Sequence, residues 1–187
     1  METSSDTRKE KRKLFDAIVT EWWKEMQPAS EEEGQPNRRG ELAELKRCKT
    51  LAEVLLVPRF QALLWRLRKA GCDVQYKEPA IAAVAGILAR IKQTTDLKFP
   101  AWLAQSKANG EPRVGELRFR RLASCGSLEE VFPALIRVLP LADETAPVAA
   151  LAHDLYSWSE RTRQRWTMEY YEALLTEEEK TGKAAKT

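Results

Sequence analysis

A short stretch in the C-terminal half, residues 114–122, carries the side chains that are best suited to binding an anion. On a helix that turns by about 100° per residue, Arg118 and Arg121 fall on the same side as three apolar residues, whereas Phe119 falls outside that face. The three apolar residues are Val114, Leu117 and Leu122. Removing an unpaired guanidinium from water costs roughly several kcal/mol. Either acidic side chains therefore pair with the two arginines inside the fold, or this face lines a groove into which an anion binds.

The residues that catalysis requires are sparse. His153 is the only histidine, and its neighbour Asp154 points about 100° away from it on a helix, so that the two do not form a dyad. Only His153 would be available to activate the thiol of Cys125. The sequence contains no GxxxxGK(S/T) phosphate loop, no HExxH zinc motif and no GxSxG nucleophile motif. We therefore interpret the chain as a non-enzyme, and we predict neither a cofactor nor a metal ion.

The composition indicates a helical protein that folds in the cytoplasm. The chain has 187 residues, of which 43% are hydrophobic and 32% are charged, with a net charge of +3 and only eight glycines. Its three cysteines, Cys48, Cys72 and Cys125, are widely spaced, which argues against disulfides and zinc and favours a reducing compartment. Residues 1–13 are charged and lack the apolar core of a signal sequence, and the longest apolar run, residues 80–89, is too short to span a bilayer. We expect no contact with membranes.

Residues 38–69 carry a local excess of positive charge, with nine basic and three acidic residues. The segment predicts a helix over 38–48, a short helix opened by the capping box Thr50–Glu53, and a third helix that begins at Pro58 and ends at Gly71. The third helix has a basic face that comprises Arg59, Arg66 and Lys69. A uniformly basic face is suited either to a polyanion or to solvent alone, and the pattern does not decide between them.

The other helices follow from apolar periodicity and from capping signals. We predict an amphipathic helix over 14–26 and a central buried helix over 80–92, in which Gly86 would allow a close helix crossing. A second capping box, Ser127–Glu130, opens another helix. The final apolar pattern is too long for one helix, and we expect a break near Ser157–Ser159.

Together these elements predict an all-α fold, an elongated helical bundle of about eight or nine helices. Residues 14–175 would form a single helical domain, either as one body or as two lobes, 14–92 and 99–175. The charged segments 1–13 and 176–187 are expected to be disordered.

Trp65 differs from the other tryptophans in its predicted position. Most of the others fall on or near apolar faces, where the core is the simplest explanation. Trp65 falls away from the apolar face of its helix and among arginines. It would serve either as a stacking platform for a nucleobase or as an anchor at a subunit interface, and we favour the interface.

Several weak motifs occur in an order that resembles a known family. An early aromatic helix carries Phe15, Trp22 and Trp23, and it precedes the basic segment RRGELAELKRC. The later motifs are RVGELRFRRL, LIRVLPL, DLYSW and RQRWTMEYY. Over about residues 14–175 the chain resembles the CasB family, the small subunit of the type I-E CRISPR Cascade surveillance complex. No single motif is diagnostic, so the resemblance depends on their order and spacing.

The resemblance implies an all-helical, non-catalytic subunit of a crRNA-guided antiviral complex. Such a subunit would contact the crRNA–target duplex and would stabilise the R-loop by holding the displaced DNA strand in a basic groove. Its partners would be the backbone subunits, the large subunit, a second copy of itself, the crRNA, and the target and displaced strands.

The resemblance also implies a set of nucleic-acid-binding residues, all of them basic. They are Lys46, Arg47, Arg118, Arg120, Arg121, Arg137, Arg161, Arg163 and Arg165. The competing hypothesis is a helical adaptor that binds only proteins and whose arginines contact acidic surfaces of its partners.

Overall fold

The computed structural model of the chain describes residues 3–27 and 39–184, and within them it contains ten α-helices, one short 3-10 helix and no strand. The α-helices are α1 (Thr3–Met26), α2 (Arg39–Arg47), α3 (Leu51–Leu55), α4 (Pro58–Lys69), α5 (Glu78–Leu88), α6 (Phe99–Ala104), α7 (Glu116–Ala123), α8 (Leu128–Val138), α9 (Val148–Tyr156) and α10 (Glu160–Ala184). The 3-10 helix spans Leu139–Ala142. The all-α prediction is confirmed, with one α-helix more than the largest number expected.

Helix α5 is the centre of the core because nearly all of its side chains are apolar. Every residue from 80 to 88 is buried, and α5 packs against α3, α4, α8 and α9. A Cβ atom at Gly86 would lie 2.6 Å from the ring of Phe132, so that glycine allows α8 to approach closely. The predicted close crossing at Gly86 is confirmed.

Local signals set most helix ends where the sequence predicted them. Thr50 and Glu53 form the complete capping box at the start of α3, and Gly71 has a φ of 77° after α4. The second capping box is only half formed. The Ser127 hydroxyl accepts from the Glu130 amide, but the Glu130 carboxylate accepts from the amide of Gly126 instead of that of Ser127.

The two terminal helices are longer than expected. Helix α1 begins at Thr3 and α10 continues to Ala184, so most of both charged segments that were expected to be disordered are helical in the structure. Lysine, glutamate, arginine and alanine have high helix propensity, and charged pairs such as Arg12–Asp16 at 3.8 Å add local support. Arg38 and the three C-terminal residues lie outside the described part of the chain. Whether residues 14–175 form one body or two lobes stays a prediction.

The C-terminal helices are held together by aromatic side chains. Phe119 of α7 stacks on Tyr170 of α10, with ring centroids 3.8 Å apart. The Tyr170 hydroxyl donates to the carbonyl of Val114 at 2.7 Å, which fixes the chain just before α7. The predicted break in the final pattern is confirmed, because α9 ends at Tyr156 and the Ser159 hydroxyl accepts from the amide of Thr162 at the start of α10.

Candidate nucleic-acid interface

Helix α7 exposes its arginines to solvent. Phe119 and Leu122 are its buried residues, whereas Leu117 is 63% exposed. Arg118 and Arg121 lie on the outer surface, so the prediction that they share the apolar face is wrong. The prediction used Val114 to assign the apolar side of the helix. Val114 lies before the helix and therefore does not mark that side.

The guanidinium groups of α7 differ in their surroundings. Arg120 lies 3.9 Å from Glu116, one helical turn away, and the Glu116 carboxylate also accepts a hydrogen bond from the Tyr171 hydroxyl at 2.9 Å. Arg118 and Arg121 form no ion pair with any described residue. The outer face of α7 therefore presents the positive charges of Arg118 and Arg121. No carboxylate among the described residues neutralises them.

Two further arginines act electrostatically on the turn between α7 and α8. The thiol of Cys125 lies in this turn and contacts the carbonyl oxygen of Arg121 at 3.4 Å. Burial raises the pKa of this thiol, and Glu130 acts in the same direction, whereas the charges of Arg137 and Arg163 lower the pKa. Arg137 belongs to α8 and Arg163 to α10, and both of these helices pack against α7.

The first turns of α10 contain three of the predicted arginines, and each has a different environment. Arg161 is exposed and has no ion pair among the described residues. Arg163 is partly buried, and its Nε atom has no hydrogen-bond partner in the described structure. Arg165 is paired with the buried Asp154 and lies 4.0 Å from Glu169. Arg165 is therefore part of the internal packing as much as of the surface.

Lys46 and Arg47 form a separate basic group at the C-terminal end of α2. Lys46 is partly buried and Arg47 is exposed. Helix α2 packs on α5, whereas α7 packs on α8 and α10. We call Lys46 and Arg47 the α2 group. The α7–α10 group consists of Arg118, Arg120, Arg121, Arg137, Arg161 and Arg163.

The basic face predicted for α4 is largely neutralised within the fold. Arg59 is only 7% exposed, and it pairs with Glu25 at 2.6 Å and with Glu41 at 3.6 Å. Arg66 pairs with the same Glu25 at 2.7 Å. Burial raises the pKa of Glu25, but the hydrogen bonds from Arg66 and Arg59 outweigh burial and lower this pKa to about 2. The prediction of a solvent-facing basic surface on α4 is wrong for Arg59.

Trp65 remains accessible beside these ion pairs. Its side chain is 59% exposed, and the Nζ atom of Lys69 lies 5.0 Å from the centroid of its ring. An open groove of about 470 Å³ between α1 and α4 includes both residues and Ile18. Both interpretations of Trp65, the nucleobase platform and the interface anchor, stay predictions.

Catalytic and metal-binding groups do not assemble in the described residues. His153 is partly buried, and burial and the charge of Arg12 lower its pKa. In residues 3–27 and 39–184, no three side chains of the His, Cys, Asp or Glu type come close enough to hold a metal ion. No helix in those ranges is both long enough and apolar enough to cross a membrane. The absence of enzymatic activity stays a prediction.

Arg90 was not among the residues that the sequence marked as functional. It ends the apolar run of α5 in the sequence, and it is only 8% exposed in the structure. Its guanidinium donates to backbone carbonyls at the C-terminal end of α2, the end that carries the α2 group. A lone arginine that closes an apolar run is the one signal by which the sequence could have indicated it.

The sequence matches the model of one protein family, described as CRISPR-associated protein Cse2, over residues 41–171. This range covers more than half of the chain and includes all nine predicted nucleic-acid-binding residues. The chain belongs to the Cse2 family. The resemblance to the CasB family, which is the same family, is thereby confirmed.

A solved structure agrees with the Cse2 assignment. The chain is similar to a chain in the crystal structure of E. coli Cascade bound to a PAM-containing dsDNA target with a 32-nt spacer, at 3.20 Å resolution. The TM-score is 0.63 at 18% sequence identity, and the similarity covers 84% of this chain and 97% of that chain. At this identity the similarity shows the fold alone. Comparison of the sequence with curated proteins gives no match.

Proposed function

We propose that this Cse2-family chain is the small, non-catalytic subunit of a type I-E Cascade complex and that it stabilises the R-loop by holding the displaced DNA strand. The observation that carries the proposal is the pair of exposed, unpaired guanidinium groups of Arg118 and Arg121. Arg137 on α8 and Arg163 on α10 add positive charge on the two helices that pack against α7. The protein needs neither a metal ion nor a cofactor for this role.

Phosphate binding is the chemistry that such a surface can provide. Arginine donates two parallel hydrogen bonds to a phosphate, and it releases condensed counterions from the nucleic acid when it binds. Neither effect depends on base sequence, which suits a complex in which the guide RNA reads the sequence by pairing. An exposed arginine that has no carboxylate partner can bind phosphate without first breaking an ion pair.

Retention of the displaced strand has a large effect because R-loop formation is nearly balanced in free energy. The RNA–DNA duplex that forms is about as stable as the DNA duplex that it replaces. A few contacts to the displaced strand, each worth about 1 kcal/mol, therefore shift the lifetime of the open state substantially. The α7–α10 group would contact this strand, and the α2 group would contact the crRNA–target duplex. The backbone subunits, the large subunit and a second copy of the chain would complete the groove in the cytoplasm.

The second candidate function is that of an adaptor that contacts only other proteins. Exposed apolar side chains favour it, since Trp65 is 59% exposed, Leu117 is 63% exposed and Met168 is 72% exposed. In this case the arginines would contact acidic surfaces of partner subunits. The adaptor hypothesis predicts that loss of the arginines prevents assembly of the complex, whereas strand retention predicts intact assembly.

The decisive experiment compares R-loop half-lives in reconstituted, guide-bound complexes at two salt concentrations. The test variant carries alanine at Arg118, Arg121, Arg137 and Arg161. A matched control removes the same number of positive charges at exposed positions outside the predicted site that have no ion pair among the described residues, namely Lys9, Lys13, Lys24 and Arg68. Strand retention predicts that the test variant assembles but that its R-loops collapse as fast as those of a complex without the subunit. Failure of the test variant to assemble would favour the adaptor, and unchanged R-loops in an assembled test variant would contradict strand retention by these arginines.

A further inference from the structure

The guanidinium of Arg90 is buried and is bonded to backbone instead of to carboxylates. It follows the C-terminal end of α5 and donates to the carbonyl oxygens of four residues. These are Gly86, Leu45 at 3.3 Å, Lys46 at 2.7 Å and Cys48 at 2.5 Å. Its guanidinium carbon also lies 5.8 Å from the centroid of the Phe132 ring. No ion pair with an acidic side chain occurs for Arg90 among the described residues.

Three of these carbonyls belong to the C-terminal end of α2 and to the residue that follows it. The last carbonyls of a helix have no partner inside the helix, and together they act as about half a negative charge. A phosphate that approached the end of α2 would therefore be repelled by its backbone. Arg90 satisfies these carbonyls and places a full positive charge behind them.

Lys46 and Arg47 lie at this same end of α2. The carbonyl of Lys46 is itself bonded to Arg90, so the backbone from which both side chains project is fixed to α5. Because an arginine donates in several fixed directions, it can hold three carbonyls at once, which a lysine cannot do with the same geometry.

We propose that Arg90 is a positioning residue for the nucleic-acid interface: it fixes the end of α2 so that Lys46 and Arg47 face a phosphate, and it cancels the negative end of the helix. This proposal rests on the proposed function, because it assigns a role within the α2 group. Arg90 itself stays buried and does not touch the nucleic acid.

A double-mutant cycle in the reconstituted complex tests the proposal. The first variant is Lys46→Ala together with Arg47→Ala, the second is Arg90→Met, and the third combines them. Dissociation of the complex from target DNA is measured over a series of salt concentrations. Each phosphate contact that is lost makes the slope of log K against log salt concentration shallower by about 0.7 to 0.9. We expect Arg90→Met to reduce the slope as much as the α2 double variant does, and the combined variant to show no further reduction.

Two further variants separate positioning from stability. Arg90→Lys keeps the positive charge but not the fork of donors, and we expect it to recover only part of the affinity. Leu151→Ala removes a fully buried side chain on α9, away from α2, and serves as the control for a general loss of stability. It should lower the thermal unfolding midpoint of the complex-bound chain but leave the salt slope unchanged.

The possible outcomes distinguish failure of the inference from failure of the proposed function. If Arg90→Met and the α2 double variant reduce affinity additively, or if Leu151→Ala reduces the slope as much as Arg90→Met, Arg90 is only a structural residue. If the α2 double variant has no effect whereas loss of Arg118 and Arg121 does, the inference is wrong and strand retention stands. If neither set changes the slope, both are wrong.

Discussion

Helices α4 and α7 each carry three arginines beside an apolar face, but the fold treats them differently. Two of the arginines on α4, Arg59 and Arg66, share the carboxylate of Glu25 on α1. Among the residues that the structure describes, the only carboxylate that pairs with an arginine of α7 is that of Glu116, which lies 3.9 Å from Arg120. The arginines of a helix therefore remain available to bind an anion only where no other helix supplies a carboxylate, and on α4 that carboxylate is Glu25.

The largest effect is expected for Glu25→Gln, which removes the carboxylate that neutralises the arginines of α4. Arg59 would then be a nearly buried charge without its closest partner, and we expect the free energy of unfolding to fall by about 2–3 kcal/mol. Chemical denaturation of the full chain measures this change. Glu21→Gln, an exposed carboxylate on the same helix, is the control and should change the free energy by less than about 0.5 kcal/mol. Equal stabilities of the two variants would contradict the central role of Glu25.

The same carboxylate predicts an acid-dependent loss of stability. Its pKa is lowered from 4.5 to about 2 in the folded chain because of Arg66 and Arg59, so its pairing stabilises the fold fully above pH 4.5. This contribution is lost as the pH falls from 4.5 through 2. The unfolding free energy of the natural chain should decrease over that range more steeply than that of Glu25→Gln. Parallel pH profiles would show that the pair contributes nothing.

A comparison within α10 gives a smaller effect. Arg165 is hydrogen-bonded to the buried Asp154, whereas Arg161 projects into solvent. We expect Arg165→Ala to lower the free energy of unfolding by about 1–2 kcal/mol and Arg161→Ala to leave it within about 0.5 kcal/mol. Thermal unfolding of the two variants under identical conditions distinguishes them. In R-loop lifetime the order should reverse, with the larger loss for Arg161→Ala after correction for stability.

Local signals made the helices predictable, but no local signal predicted the charge environment of the arginines. Pro58, the capping box at Thr50 and Gly71 act within a few residues, so the sequence alone located the ends of α3 and α4. The partner of Arg59 is 34 residues away, and no local pattern identifies it. The face of α7 was misassigned because Val114 is apolar and buried without being helical. Arg90 was missed for a similar reason, since its acceptors are backbone atoms that carry no sequence signal.

The smallest expected effect concerns the ion pair between Glu116 and Arg120 on α7. Glu116→Ala would free Arg120 from a side chain at 3.9 Å, at a cost in stability of about 0.3–0.5 kcal/mol. If unpaired arginines are what bind phosphate, this variant should bind DNA slightly more tightly and with a steeper salt dependence. Binding of the reconstituted complex to target DNA at several salt concentrations measures both. A weaker affinity would indicate that Glu116 itself supports the interface.

The salt dependence of DNA dissociation from a complex with Arg118→Gln and Arg121→Gln tests the central claim most directly. Both side chains are exposed and unpaired in the described fold, so the unfolding midpoint should not change. The account predicts a normally assembled complex. Its slope of log K against log salt concentration should be shallower by about 1.4, which corresponds to two lost contacts with a single strand. An unchanged slope in the assembled complex would contradict it, and loss of the subunit from the complex would assign these arginines to protein contacts.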